Sequence, residues 1–371
     1  MNFSEFSIEM AERGLVPDVL LRAGIRKLLR GRLKAITSGH CETDQETTNR
    51  LIEQFSNGPI APVPEKANEQ HYEVGAGVFE KMLGRRFKYS CCCWPAGINS
   101  LDQAEEAALK ITCERAGIED GMRILELGCG WGSLSLWMAE NFPNSEITAV
   151  SNSNSQREFI INRAKEWGIA NRLNVITCDM NDFHTDDVFE RVVSVEMFEH
   201  MRNYRELLAR VSNWLVDDGK LFVHIFCHRE FTYEFHDQTS DDWMSRYFFS
   251  GGVMPSDDLF LRFPKHLQVD QQWRWSGIHY QKTSDAWLAN MDLHRNELLG
   301  EFSKEYSQPE AVRWFNRWRM FYLACSELFG YQQGNQWWVS HYLFSKLQLE
   351  SEQNGQARLD HNKKIPVTSS C

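Results

Sequence analysis

The chain has 371 residues, 42% of them hydrophobic, which is enough for a sizeable core and for one large domain with appendages, at about 100–200 residues per domain. A net charge of −11 argues against a nucleic-acid surface. The N-terminus, Met1-Asn2-Phe3-Ser4-Glu5, has no basic segment followed by an apolar run, so no secretory signal is expected. No apolar stretch approaches the roughly 18 residues of a membrane span. The ten cysteines show no C-x-x-C pair, and Cys91, Cys92 and Cys93 are consecutive, so neither a metal site nor a disulfide scaffold is predicted. A reduced, cytoplasmic chain is the simpler expectation.

In chain order, residues 1–65 read as an N-terminal helical arm. Asp18–Ala35 spaces Leu20, Leu21, Ile25, Leu28, Leu29 and Leu33 at helical intervals among arginines and lysines. Its simplest reading is a helix packed on the main domain with its arginines in water; contact with a membrane surface or a partner is the alternative. Pro59, Pro62 and Pro64 close the arm. Residues 66–349 then form the main domain. Strands are predicted at Arg123–Leu127, Glu146–Val150, Leu173–Thr177, Arg191–Val195 and Lys220–Ile225. Helices fall between them at Ser133–Asn141, Ser155–Trp167 and Tyr204–Leu215. Such alternation defines an α/β fold with a doubly wound, largely parallel sheet. The alternation fails over residues 229–310, rich in aromatics, which read as an inserted helical lid. A helix around Pro309–Leu328 and a final strand at Trp337–Phe344 follow, and the polar stretch 350–371 is expected to be disordered.

The most informative segment is Ile124-Leu125-Glu126-Leu127-Gly128-Cys129-Gly130-Trp131-Gly132. An apolar strand ends in a tight glycine bend, where doubly wound sheets bind ligands at the carboxyl ends of their strands. It lacks the third-glycine spacing of the dinucleotide fingerprint and the Lys-Ser/Thr of a phosphate loop. Glu126 would repel a pyrophosphate and suits an amino-bearing ligand. The pattern E-x-G-x-G-x-G resembles the first motif of class I S-adenosylmethionine (SAM) methyltransferases. Asn152 and Gln156 stand after the second strand in place of the acid many such enzymes use; their amides can both donate and accept. The same Ser/Asn stretch can also cap the next helix, with Ser155 as a candidate cap. Asp179 and Met180 follow the third strand, where an acid can accept from an adenine amino group.

Glu196, Glu199 and His200 follow the fourth strand, at the rim where catalytic residues belong. Two carboxylates and an imidazole this close perturb one another's pKa values. Methyl transfer to an amine needs a neutral lone pair, so a base must take the ammonium proton. Glu199 with His200 is read as the base and orienting pair and Glu196 as a second anion, against the plainer reading that His200 caps the strand and Glu199 binds backbone. Tyr72, Trp318, Phe321, Tyr322 and Phe329 are candidate pocket aromatics, with core packing as the alternative.

With these pieces placed, the chain resembles the cyclopropane fatty acid synthase superfamily, and within it the coclaurine N-methyltransferases of plants. The resemblance runs from about residue 15 to about residue 346. It rests on His71-Tyr72-Glu73, Tyr89-Ser90-Cys91-Cys92, the glycine segment, Glu196-Met197-Phe198-Glu199-His200-Met201 and Val223-His224-Ile225-Phe226-Cys227-His228. Arg246 to Ser256, His279-Tyr280 and Glu327-Leu328-Phe329-Gly330-Tyr331 complete it. It implies SAM as cofactor, leaving S-adenosylhomocysteine (SAH), held by Tyr89, Ser90, Glu126, Gly128, Gly130, Asn152, Gln156, Asp179, Met180 and Val195. It implies a small aryl-alkyl amine as substrate and no metal, and leaves a homodimer open. The lipid-modifying branch holds a bicarbonate ion at positions matching Cys91, Glu199, His224 and Tyr280, and Cys325 matches a further cysteine of that branch, here read as a helix residue. Methylation of an unsaturated lipid is therefore the first alternative and a SAM-binding pseudoenzyme the second. Cys93-Trp94-Pro95-Ala96-Gly97 and Gly75-Ala76-Gly77 depart from the plant pattern near the expected pocket.

Overall fold

The structure is a computed structural model that describes residues 3–62, 75–235 and 242–347. Tyr72 and the polar stretch 350–371 lie outside the described residues. The centre is a seven-stranded sheet of β1 (Arg123–Leu127), β2 (Glu146–Ser151), β3 (Leu173–Thr177), β4 (Phe189–Val195), β5 (Leu215–His228), β8 (Leu267–Trp275) and β9 (Trp337–Lys346). Its order is β3-β2-β1-β4-β5-β9-β8. The first five strands run parallel, and β9 enters antiparallel to both β5 and β8. The sheet is thus mixed at one edge. Order reverses on either side of β1, so the ends of β1, β2, β3 and β4 open onto one crevice.

Residues 229–310, expected to be a helical lid, instead contain the edge strand β8 of the main sheet. Its register shifts between Val269 and Gln271, and the residues around the shift are Asp and Gln. A bulge of this kind breaks the period-2 signal. Around β8 lie a two-stranded ribbon of β6 (Tyr233–Glu234) and β7 (Val253–Met254) and the short helix Trp243–Phe248. The helices Gly277–Leu293 and Arg295–Phe302 follow. The long helix Gln308–Gly330 starts with Pro309 in its first turn and buries Trp318 and Tyr322 completely.

The arm helices are Phe3–Glu12, Asp18–Ala35 and Cys41–Gln54. In the second of them Leu21, Ile25, Leu29 and Leu33 pack on the core, while Leu20 and Leu28 stay exposed. The arginines are not simply solvated. Arg22 pairs with Asp285 (2.9 Å) and Glu327 (3.0 Å), and Arg26 pairs with Glu327 (2.8 Å). Glu12, buried at the end of the first helix, accepts from Trp243 Nε1 (2.9 Å) and Arg317 (3.0 Å). Among the described residues, no helix is long and apolar enough to cross a membrane.

Candidate active site

Two adjoining cavities lie along the crevice and share Gly128, Gly130, Gln156, Met197 and His200. The first is further lined by Lys88, Tyr89, Ser90, Glu126, Trp131, Val195 and Glu196. The second is further lined by Asn152, Asp179, Met180, Met201 and, from the arm, Ala61. All ten residues expected to hold the cofactor therefore line one or both of these adjoining cavities.

Gly130 has φ +52°, and a Cβ built there meets nothing within 4 Å. A side chain would project into the cavity without a clash elsewhere. Gly130→Val should keep the fold, at a cost of about 1–2 kcal/mol for the left-handed backbone, and lose SAH binding in calorimetry; retained affinity would refute the glycine cradle. Gly128 is constrained differently: its Cβ would come within 2.6 Å of Met197 Cγ.

Glu126 is fully buried and accepts a hydrogen bond from the Ser135 hydroxyl. Burial pushes its carboxyl up to about 8. An ammonium bound beside it favours the carboxylate, so below that pH binding must displace a proton. SAH affinity should therefore rise with pH and level near pH 8, with proton release detectable in buffers of different ionisation enthalpy; Glu126→Gln should flatten both, and a flat wild-type profile would separate Glu126 from the amino group.

On the opposite side, Gln156 is buried with its Oε1 accepting from Ser151 Oγ (2.7 Å), and its Nε2 has no partner. Trp131 Nε1, Ser133 Oγ and Thr112 Oγ1, which line the same space, also lack partners. Buried donors without acceptors are uncommon in native proteins. Their ring around a glycine bend fits a ligand rich in acceptors, such as the donor's carboxylate and ribose. The helix Asn154–Glu166 is capped by Ser153, not Ser155: Ser153 Oγ accepts from Gln156 N. Asp179 Oδ1 is engaged by Asn181 N (2.6 Å), and Asn181 in turn holds Ala61 through both its amide atoms (3.0 and 2.8 Å). The arm thus closes the crevice at Asp179.

The rim differs from expectation in one respect. Cys91, His224 and Tyr280 do converge, but on Glu196 and not on Glu199. Glu196 Oε1 accepts from Cys91 N (2.8 Å) and lies 3.1 Å from His224 Nε2, while Oε2 accepts from Tyr280 Oη (2.6 Å). Glu196 has φ +50°, a conformation few non-glycine residues adopt, and its amide donates to His224 O (2.8 Å). That turn aims its carboxylate at the three donors. Burial raises its carboxyl, opposed by nearby Lys88 and by Tyr280. Glu199 lies behind, on the short 3-10 turn Phe198–His200, and its side chain does not line either cavity. Its Oε1 accepts from Phe226 N (2.8 Å) and its Oε2 has no partner. Burial, reinforced by Glu196, holds its carboxyl well above the usual range. His200 lines both cavities, its ring edge-on to Phe249 at 4.7 Å.

Lys88 was not anticipated from sequence. It is buried and donates to Ser90 Oγ (2.6 Å) and Cys91 O (2.7 Å). Its loop hangs on Glu105, which accepts from the amides of Gly84, Arg86 and Lys88. The only sequence signal was a lysine next to Tyr89-Ser90. Beyond the rim stands an aromatic wall. Trp318 packs against Phe79 (5.8 Å), Tyr89 (6.2 Å), Phe248 (5.0 Å) and Tyr322 (5.8 Å); Phe321 stacks on Phe248 at 4.4 Å; Tyr280 stacks on Phe329 at 4.2 Å. It reaches the cavity through Tyr89 and Trp131. Burial raises the Cys325 thiol, which disfavours the thiolate a nucleophile needs.

Strand order, glycine bend and ring of donors define a class I SAM-dependent methyltransferase. Residues 63–338 match the mycolic acid cyclopropane synthetase family, and the chain belongs to it. It is 37% identical over 343 residues to the (S)-coclaurine N-methyltransferase of Thalictrum flavum subsp. glaucum, covering 91% of this chain and 95% of that one. To the cyclopropane-fatty-acyl-phospholipid synthase of Escherichia coli it is 30% identical over 65% of this chain and 60% of the other. The crystal structure of a coclaurine N-methyltransferase bound to N-methylheliamine and SAH superposes with a TM-score of 0.87 at 34% identity, covering 91% of this chain and 98% of that one.

Proposed function

We propose that the chain transfers the methyl group of SAM to the nitrogen of a small aryl-alkyl amine, of benzylisoquinoline or phenylalkylamine type. The observation that carries this reading is the Glu196 carboxylate. It lines the donor cavity, is fixed by three donors, and is flanked by the stacked Tyr280 and Phe329 rings. A cationic amine with an aryl group matches an anion beside aromatic faces. SAM, held along the glycine bend, supplies an electrophilic methyl on sulfur. The residues do the rest. Glu196 holds the ammonium. The ammonium proton passes to His200, which lines both cavities, or by way of it to the unpartnered Oε2 of Glu199 behind, which frees the nitrogen lone pair. Tyr89 and Trp131, backed by the aromatic wall, seat the aryl group and exclude water. Relatives named coclaurine, pavine and tetrahydroprotoberberine N-methyltransferases support the substrate class. A cytoplasmic location belongs to the same proposal; all nine cysteines among the described residues are free.

A product screen by mass tests it. Arylalkyl amines that each gain one methyl support the reading. Unsaturated phospholipids that gain one methylene would replace it with lipid chemistry, and SAH binding with neither product would leave a pseudoenzyme.

A further inference from the structure

Lys88 is a buried cation without a part in the transfer itself. Its backbone is pinned: Lys88 N, like the amides of Gly84 and Arg86, donates to Glu105 of the helix Leu101–Ala116. Its Nζ donates to Ser90 Oγ (2.6 Å) and to Cys91 O (2.7 Å), which clips the turn two and three residues further on. The same turn faces the rim. Cys91 N donates to Glu196 Oε1 (2.8 Å), and Cys92 N donates to Thr283 Oγ1 (3.1 Å). One residue therefore stands between the ammonium and the rim carboxylate, with its carbonyl on the first and its amide on the second. Lys88, Glu196 and Glu126 line the same cavity.

Both acceptors of the ammonium are neutral oxygens, so its charge acts on the acids around it. In a buried site that action is screened little by salt and is strengthened by the low dielectric. Glu196 needs it. Burial favours the protonated carboxyl, and a protonated Glu196 could not hold an ammonium. His224 is neutral, held far below the usual histidine range by burial, and supplies only a dipole. The positive charge that opposes the burial of Glu196 is that of Lys88. We propose that Lys88 is a positioning residue, the resident counter-ion of Glu196: it sets the Cys91 amide on the carboxylate and keeps that carboxylate ionised until the amine arrives. The proposal rests on the anion role given to Glu196 above. A cation one residue back neutralises the rim and leaves the cavity side of the carboxylate to the substrate. The other groups facing Glu196 are Cys91 in the turn, Tyr280, Cys325 and Glu199; Lys88 also faces Glu126, Cys92 and Cys93.

The test uses the full chain without ligand, labelled with 13C at its glutamate carboxyls; the Glu196 signal is the one that Glu196→Gln removes. Lys88→Gln drops the charge but can still donate to the turn, whereas Lys88→Met drops both. In each, Glu196 should titrate about one pH unit higher than in wild type, the low end for losing a nearby opposite charge. Lys88→Arg should titrate as wild type does. The carboxylate is present above its pKa, so the acid limb of kcat/KM for an amine should move up by the same amount, about a tenfold loss at fixed pH on the limb. A purely structural lysine would lower kcat/KM at every pH and leave the limb in place. An unmoved Glu196 titration in both variants overturns the counter-ion. A shift in Lys88→Met alone would assign the effect to the Cys91 amide and overturn the role of the charge. SAH affinity lost at every pH, with Glu196 unmoved, overturns it in favour of the donor's carboxylate. Should no amine be methylated, the proposed reaction fails while the titration still decides the counter-ion; should Lys88→Met not fold, Lys88→Gln carries the test.

Discussion

Replacing Glu199 by Gln should reduce turnover by about two to four orders of magnitude, the usual contribution of a positioned general base, while SAH affinity stays within about twofold. The two rim acids are built for different work. Both oxygens of Glu196 are engaged, by three donors, which suits a fixed anion. Glu199 keeps one oxygen free, and burial raises its carboxyl far above the usual range. That makes its carboxylate, once the proton has left it, a stronger base than an ordinary glutamate. The wild-type rate should accordingly rise with pH through the neutral range. Steady-state kinetics and SAH calorimetry on one preparation decide the matter. Parallel loss of SAH affinity would show that Glu199 serves the donor side, and unchanged turnover would pass the proton to His200.

Glu196→Ala should instead act through the amine. It removes the anion that holds the ammonium and leaves Cys91 N, His224 Nε2 and Tyr280 Oη without their acceptor. Loss of one partner of a buried charge pair costs about 2–5 kcal/mol, so kcat/KM should fall about thirtyfold or more, mainly through a raised KM for the amine. An unchanged KM would take the ammonium elsewhere. The two variants together separate holding the substrate from deprotonating it.

The layout of the sheet and the cofactor crevice could be read from the chain because each rests on local signals. Apolar runs mark β1, β2, β3 and β4, and Gly128 and Gly130 stand where a side chain would collide or fill the cleft. What could not be read depends on distant chain segments or on backbone angle. The edge strand β8 hid behind a bulge rich in Asp and Gln. Ala61, held by Asn181, reaches the crevice beside Asp179 from a distant part of the chain. Which of two acids three residues apart would meet Cys91, His224 and Tyr280 was set by the positive φ of Glu196, which no spacing rule encodes. Cys91 contributes its backbone amide there, so its residue type carried little of the signal.

The helix Gln308–Gly330 has two allegiances. Trp318 and Tyr322 belong to the aromatic wall, whereas Arg319 and Glu327 bind the arm through Asp18, Arg22 and Arg26. The arm is thus a charged brace on the substrate wall, while of its residues Ala61 touches the donor crevice. Ions in solution weaken such braces within about 10 Å at 0.1 M. Ionic strength should consequently tune which aryl groups the enzyme accepts more than how tightly it grips SAM, and exchanging this brace between relatives offers a way to retune substrate choice while leaving the methyl supply alone.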